Sequence, residues 1–210
     1  MGVRPKPLHH GRWWDATLNV VGGCKLADDS CYFCYAPRDA AGVQTATDIE
    51  LYLGTTVWKD GRWTWNGKLT PLPPEHPKWT FPLRWTGAAE PLLGPSQPSL
   101  LWINSMADLF SPGRPVEHFH RLMETVAISH HIGLVPTKYP AAMVEYFQRQ
   151  PAWWRRRFWL GFSAGDQRWW DVRWKIMRPL AKQGWTIFTS IAPMLTPVIL
   201  PPDFLELGAW

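Results

Sequence analysis

Apolar and polar positions alternate most regularly in the second half of the chain. Leu100-Leu-Trp-Ile103 is a continuous apolar run of strand length, and Pro115 to Ser129 follows it with Phe119, Leu122, Met123 and Val126 on one helical face. The unit then recurs. His131 to Val135 predicts a strand and Ala141 to Arg149 a helix with Met143, Val144 and Phe147 inward. Arg157 to Phe162 predicts the next strand, and Trp169 to Gln183 the next helix, with Gly184 where a left-handed C-terminal cap belongs. Trp185 to Ile191 closes the series, and Leu18-Asn-Val-Val21, ended by Gly22-Gly23, supplies a strand ahead of it. Strands that are apolar throughout and alternate with amphipathic helices need cover on both faces, which predicts an α/β fold with about five parallel strands.

Between about Leu51 and Pro98 the pattern turns irregular and Pro-rich. Thr55 to Trp65 reads as a β-hairpin, with Asp60-Gly61 supplying the left-handed turn. Residues 1–17, rich in Pro, His and Arg, read as an N-terminal arm. One domain is therefore expected over 18–210, with an insertion at about 51–98.

Composition narrows the function. With 46% hydrophobic residues the chain has material for one buried core, which excludes a disordered protein. No apolar run reaches the roughly 20 residues of a membrane span, and the N-terminus has no apolar signal core, so no membrane contact and a cytoplasmic location are expected. A net charge of +5 favours anionic partners such as nucleotides or nucleic acid. The 16 tryptophans serve either as a stacking surface for bases or as core and loop packing.

The chemistry concentrates at the C-terminal ends of the predicted strands, where a curled parallel sheet gathers its loops round one mouth. Those ends carry the cysteine loop after Val21, Asn104-Ser105 with Asp108, Thr137-Lys138, Ser163 with Asp166, and Ser190. Helix capping is the alternative role for Ser111 and Asp166. All three cysteines fall in one loop as Cys24-x6-Cys31-x2-Cys34, an odd number that argues against a disulfide framework. Three thiolates suit zinc with a fourth ligand, for which His9, His10 and His76 are the candidates, or a four-iron cluster with one iron open to chemistry.

The loop Cys31-Tyr-Phe-Cys34, with an aromatic before the last cysteine, resembles the cluster-binding loop of radical S-adenosylmethionine enzymes, although its first gap is six residues where Cys-x3-Cys is usual. Five segments are similar, in order, to the signatures of a phage-borne, radical-SAM-like family of uncharacterised proteins with a Cys-x6-Cys-x2-Cys motif. They are Gly22 to Ala36, Ile103 to Phe110, Leu134 to Pro140, Trp159 to Gln167 and Ser190 to Leu195.

That resemblance implies a partial (β/α) barrel of radical SAM type, a [4Fe-4S] cluster and S-adenosyl-L-methionine (AdoMet). It implies Cys24, Cys31 and Cys34 as cluster ligands, Phe33 shielding the adenine side, and Asn104 and Ser105 at the methionine amino group. Thr137, Lys138 and Ser163 would face the remaining cofactor or the substrate, with Lys138 as the one cation on the rim. The implied activity is reductive cleavage of AdoMet, fed by a reductant protein, to a 5′-deoxyadenosyl radical acting on an unidentified, nucleic-acid-related substrate.

The chain departs from the pattern at Ala164-Gly165-Asp166, where the family shows Val-Glu-Asn, and at Ser190-Ile-Ala-Pro193, where it shows Ser-Ile-Glu-Pro. A sixth β-α unit is also missing, so an exposed sheet edge that a protein partner covers is expected. The alternative function is a non-catalytic, metal-stapled phage-type module that binds nucleic acid or a protein partner, with Arg155-Arg-Arg157 beside Trp153-Trp154 as its candidate patch.

Overall fold

The five apolar runs of the sequence pair edge to edge in the computed structural model, which describes residues 12–43, 49–94 and 97–209. The chain begins with β1 (Ala16–Leu18), β2 (Val21–Gly22), α1 (Ala36–Val43) and α2 (Ile49–Tyr52). The insertion then forms β3 (Thr56–Lys59), β4 (Arg62–Trp65), β5 (Thr70–Pro71) and α3 (Phe81–Arg84). Regular alternation follows with β6 (Leu100–Ile103), α4 (Val116–Ile128), β7 (Ile132–Thr137), α5 (Pro140–Phe147), β8 (Phe158–Ser163), α6 (Gln167–Lys182), β9 (Thr186–Ser190) and α7 (Pro202–Glu206).

The main sheet is parallel throughout, in the order β1-β6-β7-β8-β9, with Leu18 opposite Ile103, Leu134 opposite Trp159 and Leu160 opposite Ile187. It is open, with β1 and β9 as its edges. Successive side chains on a strand point to opposite faces, and the core divides accordingly. Leu101, Ile103, Val135, Leu160, Phe162 and Ile187 join the main core with Leu122, Met123 and Val126 of α4 and Trp170, Trp174 and Met177 of α6. Leu100, Trp102, Ile132, Leu134 and Phe188 form a second cluster on the other face, with Trp14 and Trp159 against it.

The far end of the Phe188 ring packs against Gly161 of β8, with the rings of Trp13 and Trp102 beside it at centroid distances of 5.3 and 5.7 Å. A Cβ at 161 would clash with that ring, 2.2 Å from its nearest carbon. Gly161→Ala is therefore expected to cost about 1–3 kcal/mol, read in a thermal melt as a fall in Tm of roughly 2–4 °C per kcal/mol. An unchanged Tm contradicts the contact.

The first strand differs from its expected span. Residues 18–21 do not form one strand: β1 ends at Leu18, and Val21-Gly22 leaves the main sheet to pair antiparallel with Thr70-Pro71. The Asn104 side chain causes the break, because its Oδ1 accepts from the backbone N–H of Val20 at 2.9 Å and of Val21 at 3.4 Å. Ala16 and Thr17 belong to the sheet and not to the arm. Just ahead of them, the Asp15 carboxylate accepts from the N–H of Leu92 and Leu100 at 3.0 and 2.7 Å.

Other expectations hold with shifted ends. The β3–β4 hairpin turns at Asp60 (φ 51°) and Gly61 (φ 75°), the two left-handed positions its tight turn requires. Val144, expected inward on α5, is only partly buried, whereas Met143 and Phe147 are fully buried. The tryptophans divide between interior and surface: Trp79, Trp154, Trp170, Trp174 and Trp185 are core, while Trp58, Trp63 and Trp153 are exposed. No helix among the described residues is long and apolar enough to cross a membrane.

Candidate functional site

The cysteine loop starts at Gly22-Gly23, where a Cβ on either residue would collide with the carbonyl of Leu51 or Lys68, and where Gly23 turns at φ 81°. It continues into a short 3₁₀ turn, Asp29–Phe33, capped by Asp28 through the N–H of Ser30 at 2.9 Å. The turn places Cys31 inside, and Ala27 donates its N–H to the Cys31 Sγ at 3.4 Å. No disulfide links Cys24, Cys31 and Cys34.

All three thiols open on one cavity of about 330 Å³. The same cavity is lined by Asn104, Ser105, Thr137, Lys138, Ser163 and Ser190, so the predicted strand ends do converge. Five aromatic residues, Trp13, Trp14, Tyr35, Trp65 and Trp102, line it too, beside Asp108 and small or apolar residues such as Met106 and Ala192. Phe33 stands outside: it is 62% exposed and lines an adjoining groove beside Tyr32. Asp166 caps α6 by accepting from the N–H of Trp169 at 2.8 Å, whereas Ser111 is buried ahead of α4 and does not cap it.

Several of these side chains are already committed to the protein. Asn104, at φ 56°, also donates its Nδ2 to the Val21 carbonyl at 3.0 Å, so its amide clamps the backbone that leads into the cysteine loop. Ser105 donates its N–H and hydroxyl to Asn19 Oδ1 at 2.9 and 3.3 Å. The Thr137 hydroxyl donates to Asp108 Oδ1 at 2.7 Å, and the Lys138 N–H donates to Asp108 Oδ2 at 2.7 Å.

Lys138, expected as the one cation on the rim, lines the cavity and meets a carboxylate of the protein itself. Its ammonium donates to Asp28 Oδ1 at 3.0 Å and to the Ser30 hydroxyl, while Arg173 of α6 meets Asp28 Oδ2 at 2.6 Å. Arg173 also donates to the carbonyls of Lys138 at 3.2 Å and Ser163 at 2.5 Å. Asp28 and Arg173 are both fully buried, so one ion-pair network ties the cysteine loop to β7, β8 and α6. Burial alone would raise the Asp28 carboxyl, but the Ser30 hydrogen bond and the charges of Lys138 and Arg173 outweigh it and hold it near 2.

Elsewhere in the cavity burial dominates. It pushes the Asp108 carboxyl up against the hydrogen bonds from Lys138, Thr137 and Phe110, and it pushes the Cys24 and Cys34 thiols up.

Among the described residues, no three His, Cys, Asp or Glu side chains are gathered as the ligands of a single metal ion would be. His76 caps the 3₁₀ turn at Pro77 by accepting the Lys78 N–H on Nδ1 at 3.1 Å, and His9 and His10 lie outside the described residues. Cys24, Cys31 and Cys34 are the side chains on this cavity that could hold a metal cluster, since their thiols are unbridged and thiolates are its usual ligands.

Asp28 and Arg173 were missed by sequence reasoning. Trp170, Arg173, Trp174 and Met177 share the buried stripe of α6, and an arginine inside an apolar stripe was the available signal for a buried partner.

Among solved structures the chain is similar to a spore photoproduct lyase variant with bound AdoMet and dinucleoside spore photoproduct, with a TM-score of 0.52 and 14% identity. The match covers 84% of this chain and 45% of the other, so the chain spans less than half of that protein. It establishes the fold, a partial barrel of radical SAM type whose sheet stays open. No curated protein matches the chain. The model of a family described as "Protein of unknown function (DUF5131)" matches residues 10–205, and the chain belongs to that family.

Proposed function

We propose that the chain is a radical-SAM-type iron–sulfur protein in which Cys24, Cys31 and Cys34 hold a [4Fe-4S] cluster and the cavity they line receives AdoMet. The observation that carries this reading is the opening of three unbridged thiols, together with the strand ends of a radical-SAM-type sheet, on one aromatic cavity. Held by Cys24, Cys31 and Cys34, such a cluster would supply one-electron reductive cleavage of the AdoMet sulfonium for hydrogen-atom abstraction from a substrate, the electron coming from an external reductant.

The chain's own residues bind, orient and exclude water. Trp13, Trp14, Trp65 and Trp102 offer faces for an adenine ring and an apolar wall against solvent. The Asp28–Lys138–Arg173 network fixes the loop that carries the thiols. Phe33, exposed on the far side of Cys34, is left for the groove and not for the adenine.

Anaerobic reconstitution with iron and sulfide is expected to give a brown protein with about four iron per chain, and Cys31→Ala is expected to lose both colour and iron. With a strong reductant and AdoMet, the loaded protein is expected to release 5′-deoxyadenosine. A colourless protein holding one zinc overturns the proposal. The non-catalytic alternative is favoured by one observation: Ala192 lines the cavity where the resembled family carries glutamate. It predicts a loaded protein that releases no 5′-deoxyadenosine.

A further inference from the structure

The cysteine loop has an outer side, and that side faces the hairpin. An open groove of about 360 Å³ lies between them, lined by Tyr32, Phe33, Tyr35, Trp58 and Trp63 together with Cys34, Gly61, Arg38 and Arg62. These five rings are all exposed, Trp58 at 59% and Phe33 at 62%. Tyr32 and Phe33 meet edge to face at 5.0 Å, as do Trp58 and Trp63 at 5.5 Å. Arg62 is fixed in place, its guanidinium 3.3 Å from the centre of the Tyr32 ring and donating to the Tyr32 carbonyl.

The chemistry of this lining selects its occupant. Among the described residues it contains no aliphatic side chain, as a docking groove for an apolar helix would, and its charged residues are two arginines. Flat rings accept any base by stacking, and guanidinium groups accept phosphate. Arg38 also reaches Asp39 at 3.3 Å, but that pair is exposed and weak, so a phosphate can replace it. The net charge of +5 adds long-range attraction for a polyanion. Cys34 and Tyr35 line both the groove and the thiol cavity, so a strand lying in the groove passes directly beside the candidate cofactor site.

We infer that this groove binds single-stranded nucleic acid, with bases stacked on the hairpin tryptophans and the loop aromatics and phosphates on Arg38 and Arg62. The inference deepens the proposed function by naming its substrate class, and rests on that reading only in calling the bound strand a substrate. A duplex keeps its base faces covered and cannot use the rings, so the groove selects single strands.

The test is fluorescence anisotropy of the full chain with a labelled oligothymidylate of about 12 nucleotides. Wild-type protein is expected to bind it more tightly than a duplex of the same length. If two arginines meet phosphates, log K falls with log salt at a slope of about −1.4. Trp58→Ala and Trp63→Ala are each expected to weaken binding at least about fivefold. Both residues are exposed on a hairpin surface, so Tm should stay near the wild-type value. Trp153→Ala, at an exposed tryptophan beside Arg155 and Arg156, is expected to leave binding unchanged.

Absence of binding by wild type, equal affinity for duplex, wild-type binding by both hairpin variants, or loss of binding in Trp153→Ala would each overturn the inference. None of these outcomes alters iron content or 5′-deoxyadenosine release. Loss of those two in wild type, with oligonucleotide binding intact, would instead overturn the cofactor reading alone.

Discussion

Arg173→Ala is expected to destabilise the protein by about 3–5 kcal/mol, a fall in Tm of roughly 6–20 °C at this chain length. The guanidinium is 2% exposed and meets a carboxylate with no exposure, so its removal leaves Asp28 charged and buried, with only Lys138 opposite. Two carbonyls, of Lys138 and Ser163, lose their donor at the same time. Arg173→Lys keeps the charge but not the fork that reaches all three acceptors, and is expected to fall between wild type and alanine.

Acid separates charge from packing in this variant. The Asp28 carboxyl is held near 2 in the folded wild type, below its unfolded value. The stability this contributes is therefore fully present above about pH 4 and is lost as pH falls through the folded value. Without Arg173 the folded carboxyl titrates at higher pH, so the gap between wild type and Arg173→Ala should narrow between about pH 4 and 2. A gap that stays constant over that range assigns the loss to packing and contradicts the ion-pair account.

Asn104→Ala is expected to be the next most damaging change, costing about 2–4 kcal/mol in urea denaturation. Its amide satisfies two backbone N–H groups and one carbonyl at Val20 and Val21, all buried. Its own backbone sits at φ 56°, where a Cβ costs about 1–2 kcal/mol unless a local hydrogen bond offsets it. Asn104→Gly removes the amide but tolerates the torsion, so it should be about 1 kcal/mol milder than alanine. Wild-type stability in the glycine variant would show that the clamp contributes nothing. Because the clamped segment leads into Gly22-Gly23 and Cys24, both variants should also lower the iron retained after reconstitution.

Most of the sheet was legible because each central strand is apolar on both faces and each crossover helix has a single buried stripe. Phe119, Leu122, Met123 and Val126 on α4 are buried as their spacing implies, and Asp60-Gly61 turns the hairpin as its residue types require. The first strand was not legible. Its end is set by a side chain more than eighty positions away, since Asn104 takes the N–H groups that would have continued the ladder.

The site divides in the same manner. Clustering in the sequence drew attention to Cys24, Cys31 and Cys34, and strand-end position drew it to Ser105, Thr137, Lys138 and Ser163. The structure puts all of them on one cavity. Their partners were not foreseeable: Lys138 pairs with an aspartate from inside the cysteine gap, and Phe33 turns away from the cavity to face Trp58 and Trp63 across an open groove.

The sequence by itself determined the local matters, namely the strands and crossover helices between Leu100 and Ser190, where the hairpin turn lies, and that three thiols share one loop. Those follow from nearest-neighbour torsions and from the periodicity of burial, which every residue carries with it. Only the tertiary structure decided which charges meet and which rings stay bare. Asp28 and Arg173 are brought together by the packing of one helix against two strands, and no periodicity records how distant segments come to face one another.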